Sequence, residues 1–177
     1  MIRQNWQLSP GALSKEFCEN TIKLCKQTCD MKEAGTFKGL SEGRKTQVGW
    51  TDDPELMRIA LQYIWAANRA VYNIDIQYLP NLQFGEYSED GEYSWHHDID
   101  WDNNSAYDRK LSICIQLSDP STYVGGDLEF TEVQTPVDFK KQGSVIVFPS
   151  YLQHRVTKIT SGTRYSLVGW MEGPRWR

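Results

Sequence analysis

A chain of 177 residues with 40% hydrophobic content can bury one sizeable core, so it reads as one domain over 1-177, with helical support over 1-80 and a β core over 81-173. Nineteen basic against 23 acidic residues give a formal charge of −4 without a basic stripe, which argues against a nucleic-acid backbone as partner. No stretch approaches the ~20 apolar residues of a membrane span, the opening MIRQNWQLSPG lacks the apolar run of a secretory signal, and Cys18, Cys25, Cys29 and Cys114 form no regular disulfide framework; a soluble, cytoplasmic protein with free thiols is expected.

In chain order, Ser9 and Pro10 offer an N-cap and a first helical residue, and Leu13, Phe17, Cys18, Ile22, Cys25 and Cys29 then recur at helical spacing. Asp53-Pro54 repeats that start signal ahead of a second stripe, Leu56, Ile59, Ala60, Tyr63, Ile64, Ala67 and Val71, which ends near Asn73. From about residue 82 the period changes to two, and short runs are punctuated by Gly, Pro, Asp and Asn. Strands are predicted over Gln83–Tyr87, Tyr93–Asp98, Lys110–Ser118, Asp127–Val133, Ser144–Phe148, Arg155–Thr160 and Arg164–Met171. Many short strands without interleaved helices point to a sandwich or jelly roll, with the two helices covering one face of a sheet. The polar stretch Ile99–Asp108 suits a loop at the mouth of a site, a lid with Trp101 and Tyr107 available to touch a substrate.

Of the three histidines, two lie in Tyr93-Ser94-Trp95-His96-His97-Asp98. On an extended strand, residues i and i+2 share a face, so His96 and Asp98 can present an imidazole and a carboxylate to one metal while His97 faces away. His154, after the run Val147-Phe148-Pro149-Ser150, is the remaining histidine and would complete two His and one carboxylate, the donor set of Fe(II) oxygenases. Arg164 follows ten residues later, with Ser166 on the same strand face. An arginine heading a mostly apolar strand implies a buried anionic partner or an exposed strand end.

These motifs together carry a resemblance. Tyr87 and Gly91 precede Tyr93-Ser-Trp-His96-His-Asp98; Arg109-Lys-Leu-Ser112, Gly125-Gly126-Asp-Leu128-Glu-Phe130, Gly143-Ser-Val-Ile-Val-Phe148-Pro149-Ser150, His154-Arg155-Val156 and Gly162-Thr-Arg164-Tyr-Ser166 follow in order. From Leu82 to Gly173 the chain resembles the Fe(II)/2-oxoglutarate dioxygenase superfamily, prolyl 4-hydroxylase-like branch, which includes bacterial and phage hydroxylases. The resemblance implies a double-stranded β-helix (jelly roll) with helices packed on one sheet. It implies Fe(II) held by His96, Asp98 and His154, and 2-oxoglutarate as cosubstrate with its distal carboxylate on Arg164. Tyr87 and Ser166 match residues that support that carboxylate. Gln116 and Leu128 match positions that line the cosubstrate pocket, although a tyrosine commonly stands where Gln116 does. The implied reaction consumes O2, hydroxylates a C–H bond and releases succinate and CO2, with ascorbate admitted as an accessory reductant. The implied substrate is a proline-containing peptide or protein; a free amino acid, a nucleobase, a jelly-roll enzyme independent of 2-oxoglutarate, and a non-catalytic metal-binding module are the competing readings.

Overall fold

The computed structural model describes residues 5–34, 43–102 and 104–176. The first four residues of the stretch read for a leader, residues 35–42 of the helical support, Asn103 of the predicted loop and Arg177 lie outside the described residues. The elements run β1 (Gln7–Ser9), α1 (Lys15–Thr28), β2 (Lys32–Glu33), β3 (Arg44–Lys45), β4 (Gln47–Thr51), α2 (Pro54–Ala67) and β5 (Leu82–Tyr87). They continue with β6 (Glu92–His96), β7 (Tyr107–Gln116), β8 (Tyr123–Gly125), β9 (Leu128–Phe130), β10 (Val145–Pro149), β11 (His154–Val156), β12 (Ile159–Gly162) and β13 (Arg164–Pro174).

Among the described residues a seven-stranded sheet in the order β1-β10-β7-β13-β5-β4-β2 faces a four-stranded sheet, β3-β6-β11-β9, and β12 pairs with β8 alone. All pairings are antiparallel. This is the expected jelly roll with its helices on one sheet. One face of the larger sheet carries Leu111, Ile113, Ile115, Val145, Val147, Leu167 and Met171, and it buries these against Cys18, Cys25, Leu56, Ala60, Ile64 and Ala67 of the two helices. The opposite face carries Ser112, Cys114, Gln116, Arg164 and Ser166, and it too is buried, because the smaller sheet closes over it. Alternation along β7 therefore separates a helix-facing side from a cavity-facing side rather than core from solvent.

The second helix starts where the sequence places it. The Asp53 carboxylate accepts from the Glu55 and Leu56 amides, Pro54 stands in the first turn, and a wider turn over Asn68–Tyr72 ends at Asn73 in the left-handed region. The first helix does not start at Ser9-Pro10. Ser9 belongs to β1, paired with β10, and Gly11 at φ +54 turns the chain before Ser14 caps the helix by accepting from the Phe17 amide. Both sites offer a hydroxyl cap, and only the cross-chain pairing of β1, invisible locally, decides between them. Four short strands, β1 to β4, thus lie in what was read as helical support.

The predicted strand Arg155–Thr160 divides in two: β11 begins at His154 itself, and Thr157-Lys158 carries the chain to β12 in another sheet, with the Thr157 hydroxyl accepting from the Asp127 amide. Of Ile99–Asp108, Ile99 is buried and Tyr107-Asp108 already belong to β7, where Tyr107 packs edge-on against Tyr78; Trp101 is exposed. No helix among the described residues is long and apolar enough to cross a membrane.

Ile64 is wholly buried between α2 and the larger sheet, so Ile64→Ala should lower unfolding free energy by about 2–5 kcal/mol. Urea denaturation checks this, and a loss below about 1 kcal/mol would mean the helix is dispensable to the core.

Candidate metal centre

The smaller sheet brings the histidines together. His154 on β11 stands in register with His96 on β6 and with Phe130 on β9, so three strands put these side chains on one inward face. The strand that delivers His96 ends there. Asp98 lies just past it, where the Asp98 and Ile99 amides both donate to the Ser150 carbonyl at 3.0 and 3.2 Å. The expectation of one extended strand through Asp98 is thus corrected: a bend anchored on Ser150, not the two-residue period of a strand, turns the carboxylate inward. Donor atoms of His96, Asp98 and His154 lie within 4.8 Å of one another. The Asp98 Oδ1 is 3.6 Å from His96 Nε2, and its Oδ2 is 3.5 Å from His154 Nε2.

Hydrogen bonding sets the imidazoles for ligation. His96 Nδ1 faces the Ser94 carbonyl at 2.7 Å and His154 Nδ1 faces the Leu152 carbonyl at 2.9 Å. A carbonyl only accepts, so in a neutral ring the proton sits on Nδ1 and the lone pair on Nε2, the nitrogen that faces Asp98. Burial, with His154 close by, pushes His96 down to about 4, which keeps it neutral near pH 7. For Asp98, burial opposes ionisation, but the two imidazoles, the Ser112 hydroxyl and Arg109 outweigh it and hold the carboxyl below its usual value. His97 turns away, exposed, with Nδ1 donating to the Tyr151 carbonyl at 2.7 Å.

The Asp98 carboxylate is held from the larger sheet. Ser112 Oγ donates to Asp98 Oδ2 at 2.6 Å, and Ser150 Oγ lies 2.9 Å from Ser112 Oγ. Arg109 adds a longer bond to the Asp98 carbonyl and lays its guanidinium over Trp170. None of these supporting roles was assigned from the sequence, although Ser112, Arg109 and Ser150 stood in its motifs.

Across the cavity, β13 pairs with β5 so that Arg164 lies opposite Tyr87, and with β7 so that Ser166 lies opposite Gln116. Arg164 is 1% exposed, which decides between the two sequence alternatives: the strand end is buried. Its Nε donates to Gln116 Oε1 at 3.0 Å and its Cζ stands 5.6 Å from the Tyr87 ring. It forms no ion pair with a carboxylate among the described residues. One cavity is lined by His96, Asp98 and His154 at one end, by Arg164, Tyr87 and Ser166 at the other, and by Leu128 and Cys114 between. Arg44 of β3, unassigned by sequence reasoning, also lines it, bonded to Gln83 and stacked on Tyr93. Gln116 does not line this cavity; it sits behind Arg164, in the wall of a neighbouring groove that also meets Arg164.

Residues 82–172, half of the chain, match the family described as the 2OG-Fe(II) oxygenase superfamily. The chain belongs to that family. Among individual proteins it is 43% identical over 63 residues to a PKHD-type hydroxylase of Synechococcus sp. (strain CC9311), covering 35% of this chain and 29% of that protein. It is 30% identical over 96 residues to a PKHD-type hydroxylase of Crocosphaera subtropica, covering 54% of this chain and 40% of that protein. The chain thus spans less than half the length of these curated relatives. Its fold is similar to that of viral collagen prolyl hydroxylase from Paramecium Bursaria Chlorella virus-1, at a TM-score of 0.76 and 16% identity over 96% of this chain and 97% of that one. It is similar to that of a Pseudomonas putida prolyl-4-hydroxylase, at 0.74 and 18% over 97% and 94%.

Proposed function

We propose that this member of the 2OG-Fe(II) oxygenase superfamily is a dioxygenase that hydroxylates a C–H bond of a prolyl residue in a peptide or protein, releasing succinate and CO2. The observation that carries the reading is Arg164, buried, without a carboxylate partner among the described residues, and facing the cavity that holds His96, Asp98 and His154. A buried guanidinium is costly unless an anion meets it, and a dicarboxylate with one end at the metal supplies that anion.

The residues fit the group. Two Nε2 lone pairs and one carboxylate form a three-donor set that leaves coordination positions open for Fe(II). Bound iron and 2-oxoglutarate would supply the oxidising chemistry with O2. The chain supplies the rest: His96, Asp98 and His154 hold the metal, Arg164 with Tyr87 and Ser166 holds and orients the cosubstrate, and the apolar wall of Leu128, Phe148 and Val156 keeps water out. Ser112 fixes the rotation of the Asp98 carboxylate. Ser112→Ala should weaken metal retention by roughly 10–100-fold, the usual loss when a partner behind a ligand is removed. Competition for Co(II) against a chromophoric chelator measures it, and an unchanged affinity would make the Ser112 bond incidental.

The peptidyl-proline substrate is supported by the fold's likeness to prolyl hydroxylases, one of which, from Trichoplax adhaerens, was solved with a hypoxia inducible factor peptide fragment. Incubation with Fe(II), 2-oxoglutarate, O2 and a library of proline-containing peptides tests it. Succinate should form in step with a 16 Da gain on a peptide. Succinate without any peptide gain would retain the dioxygenase and reject the prolyl substrate; no succinate under any condition would reject both.

A further inference from the structure

Tyr123 lies outside every role assigned above; with Gln116 it lines the neighbouring groove, which meets the cavity at Arg164. It is buried at 4% exposure on β8, its ring packed with Tyr87, Val156 and Ile159. Gly126 explains how close it comes. With φ +64 and no side chain, Gly126 leaves the space where a Cβ would stand 2.9 Å from Arg164 Cδ and 3.3 Å from Tyr123 Cε2, so the two side chains close on the same point.

Gln116 joins them. Its Oε1 accepts from Arg164 Nε at 3.0 Å, and since a guanidinium only donates, this fixes which end of the amide is oxygen. The amide nitrogen then donates to the Tyr123 hydroxyl at 2.8 Å and to the Ser118 carbonyl at 3.2 Å. Both Gln116 donors are spent, so Gln116 has none left for an anion. The Tyr123 oxygen acts as an acceptor, and its own proton meets no acceptor among the described residues. Burial raises the phenol's pKa despite the nearby Arg164, so the proton stays in place at neutral pH. A buried hydroxyl with an uncommitted donor is thus linked through Gln116 to a buried guanidinium that has no carboxylate partner among the described residues.

We propose that Tyr123 is a cosubstrate-binding residue that donates its phenolic proton to the carboxylate held by Arg164, with Gln116 orienting both. This rests on the cosubstrate reading above. It assigns Gln116 to positioning, behind the binding groups, and makes Gly125-Gly126 the turn that lets Tyr123 approach.

The test is titration of Mn(II)-loaded protein with 2-oxoglutarate in the absence of O2, comparing wild type with Tyr123→Phe. The phenylalanine ring preserves the packing on Tyr87 and Ile159, and Mn(II) affinity and the unfolding midpoint, both expected unchanged, verify that the centre and fold persist. Affinity for 2-oxoglutarate should fall on the order of tenfold or more, the scale of a hydrogen bond to a charged group. Pyruvate, which has the 2-oxoacid end but no distal carboxylate, should bind the two proteins equally. Equal 2-oxoglutarate affinities would overturn the proposal, as would an equal loss for pyruvate, which would show a general disturbance of the cavity. Failure of the wild type itself to bind 2-oxoglutarate would instead overturn the cosubstrate reading, and this assignment with it.

Discussion

Replacing His154 with alanine should give a folded chain that no longer retains iron. His154 reaches the centre from β11, between the strands that deliver His96 and Phe130, and its Nδ1 bond to the Leu152 carbonyl aims Nε2 at Asp98. Without it, two donors remain, His96 at the end of β6 and Asp98 on the bend just past it, and no other His, Cys, Asp or Glu among the described residues joins them as a third. The loss should exceed the roughly 10–100-fold that follows removal of a partner behind a ligand, because a ligand itself is gone. The cost to the fold should be smaller. The imidazole packs against Phe148 and Phe130 at ring separations of 4.9 and 6.0 Å, and the alanine leaves a void beside a cavity that is already open, so little new surface is created. Iron per chain after desalting, read beside circular dichroism, decides it: one iron per folded His154→Ala chain would make the three-residue centre wrong. His97→Ala is the matched control and should keep its iron, since His97 turns out toward the Tyr151 carbonyl.

The choice of His96 and Asp98 over His97 was legible in the sequence as a His-x-Asp spacing, although the cause differs: β6 ends at His96 and a bend held by the Ser150 carbonyl turns Asp98 inward. So was Asp53-Pro54, a cap whose partners lie within three residues. What was not legible shares a cause. Ser14 rather than Ser9 caps α1 because β1 pairs with β10, more than 130 residues away. The polar residues Ser112, Cys114 and Gln116 alternate along β7 as a solvent face would, yet they are 2%, 6% and 1% exposed, because a second sheet covers them. Their burial is what turns Ser112 into a support for Asp98 and Gln116 into the link between Arg164 and Tyr123. Arg44 enters the cavity from a two-residue strand too short to carry a period. Local signals named the residues with a motif around them; register across sheets assigned the residues that hold those in place.

Arg164→Ala should strip the protein of cosubstrate affinity while leaving its iron. Arg164 opens β13 opposite Tyr87, and its side chain runs between the sheets, where 1% of it meets solvent. Gln116 takes the Nε proton, and Cys114 Sγ stands 4.0 Å from one terminal nitrogen, a weak contact with a soft acceptor. Neither neutralises the charge. The guanidinium lines the cavity without a carboxylate partner among the described residues, and its planar fork can take both oxygens of one carboxylate. Truncating one partner of a buried, hydrogen-bonded charge pair costs roughly 2–5 kcal/mol, so the apparent affinity for 2-oxoglutarate should fall on the order of thirtyfold or more. Lysine should recover only part of this, since a point charge cannot reproduce the fork and a methylene stands where the Nε donor to Gln116 Oε1 was. Iron affinity should hardly change, because the Arg164 hydrogen bonds run to Gln116 and Cys114 and not to His96, Asp98 or His154. Titrating metal-loaded wild type, Arg164→Ala and Arg164→Lys with 2-oxoglutarate separates the cases. Affinities in the order wild type, lysine, alanine assign the anion to the guanidinium; three equal affinities would leave a buried cation with no ligand to justify it, and would remove the main reason to read this cavity as a 2-oxoglutarate site.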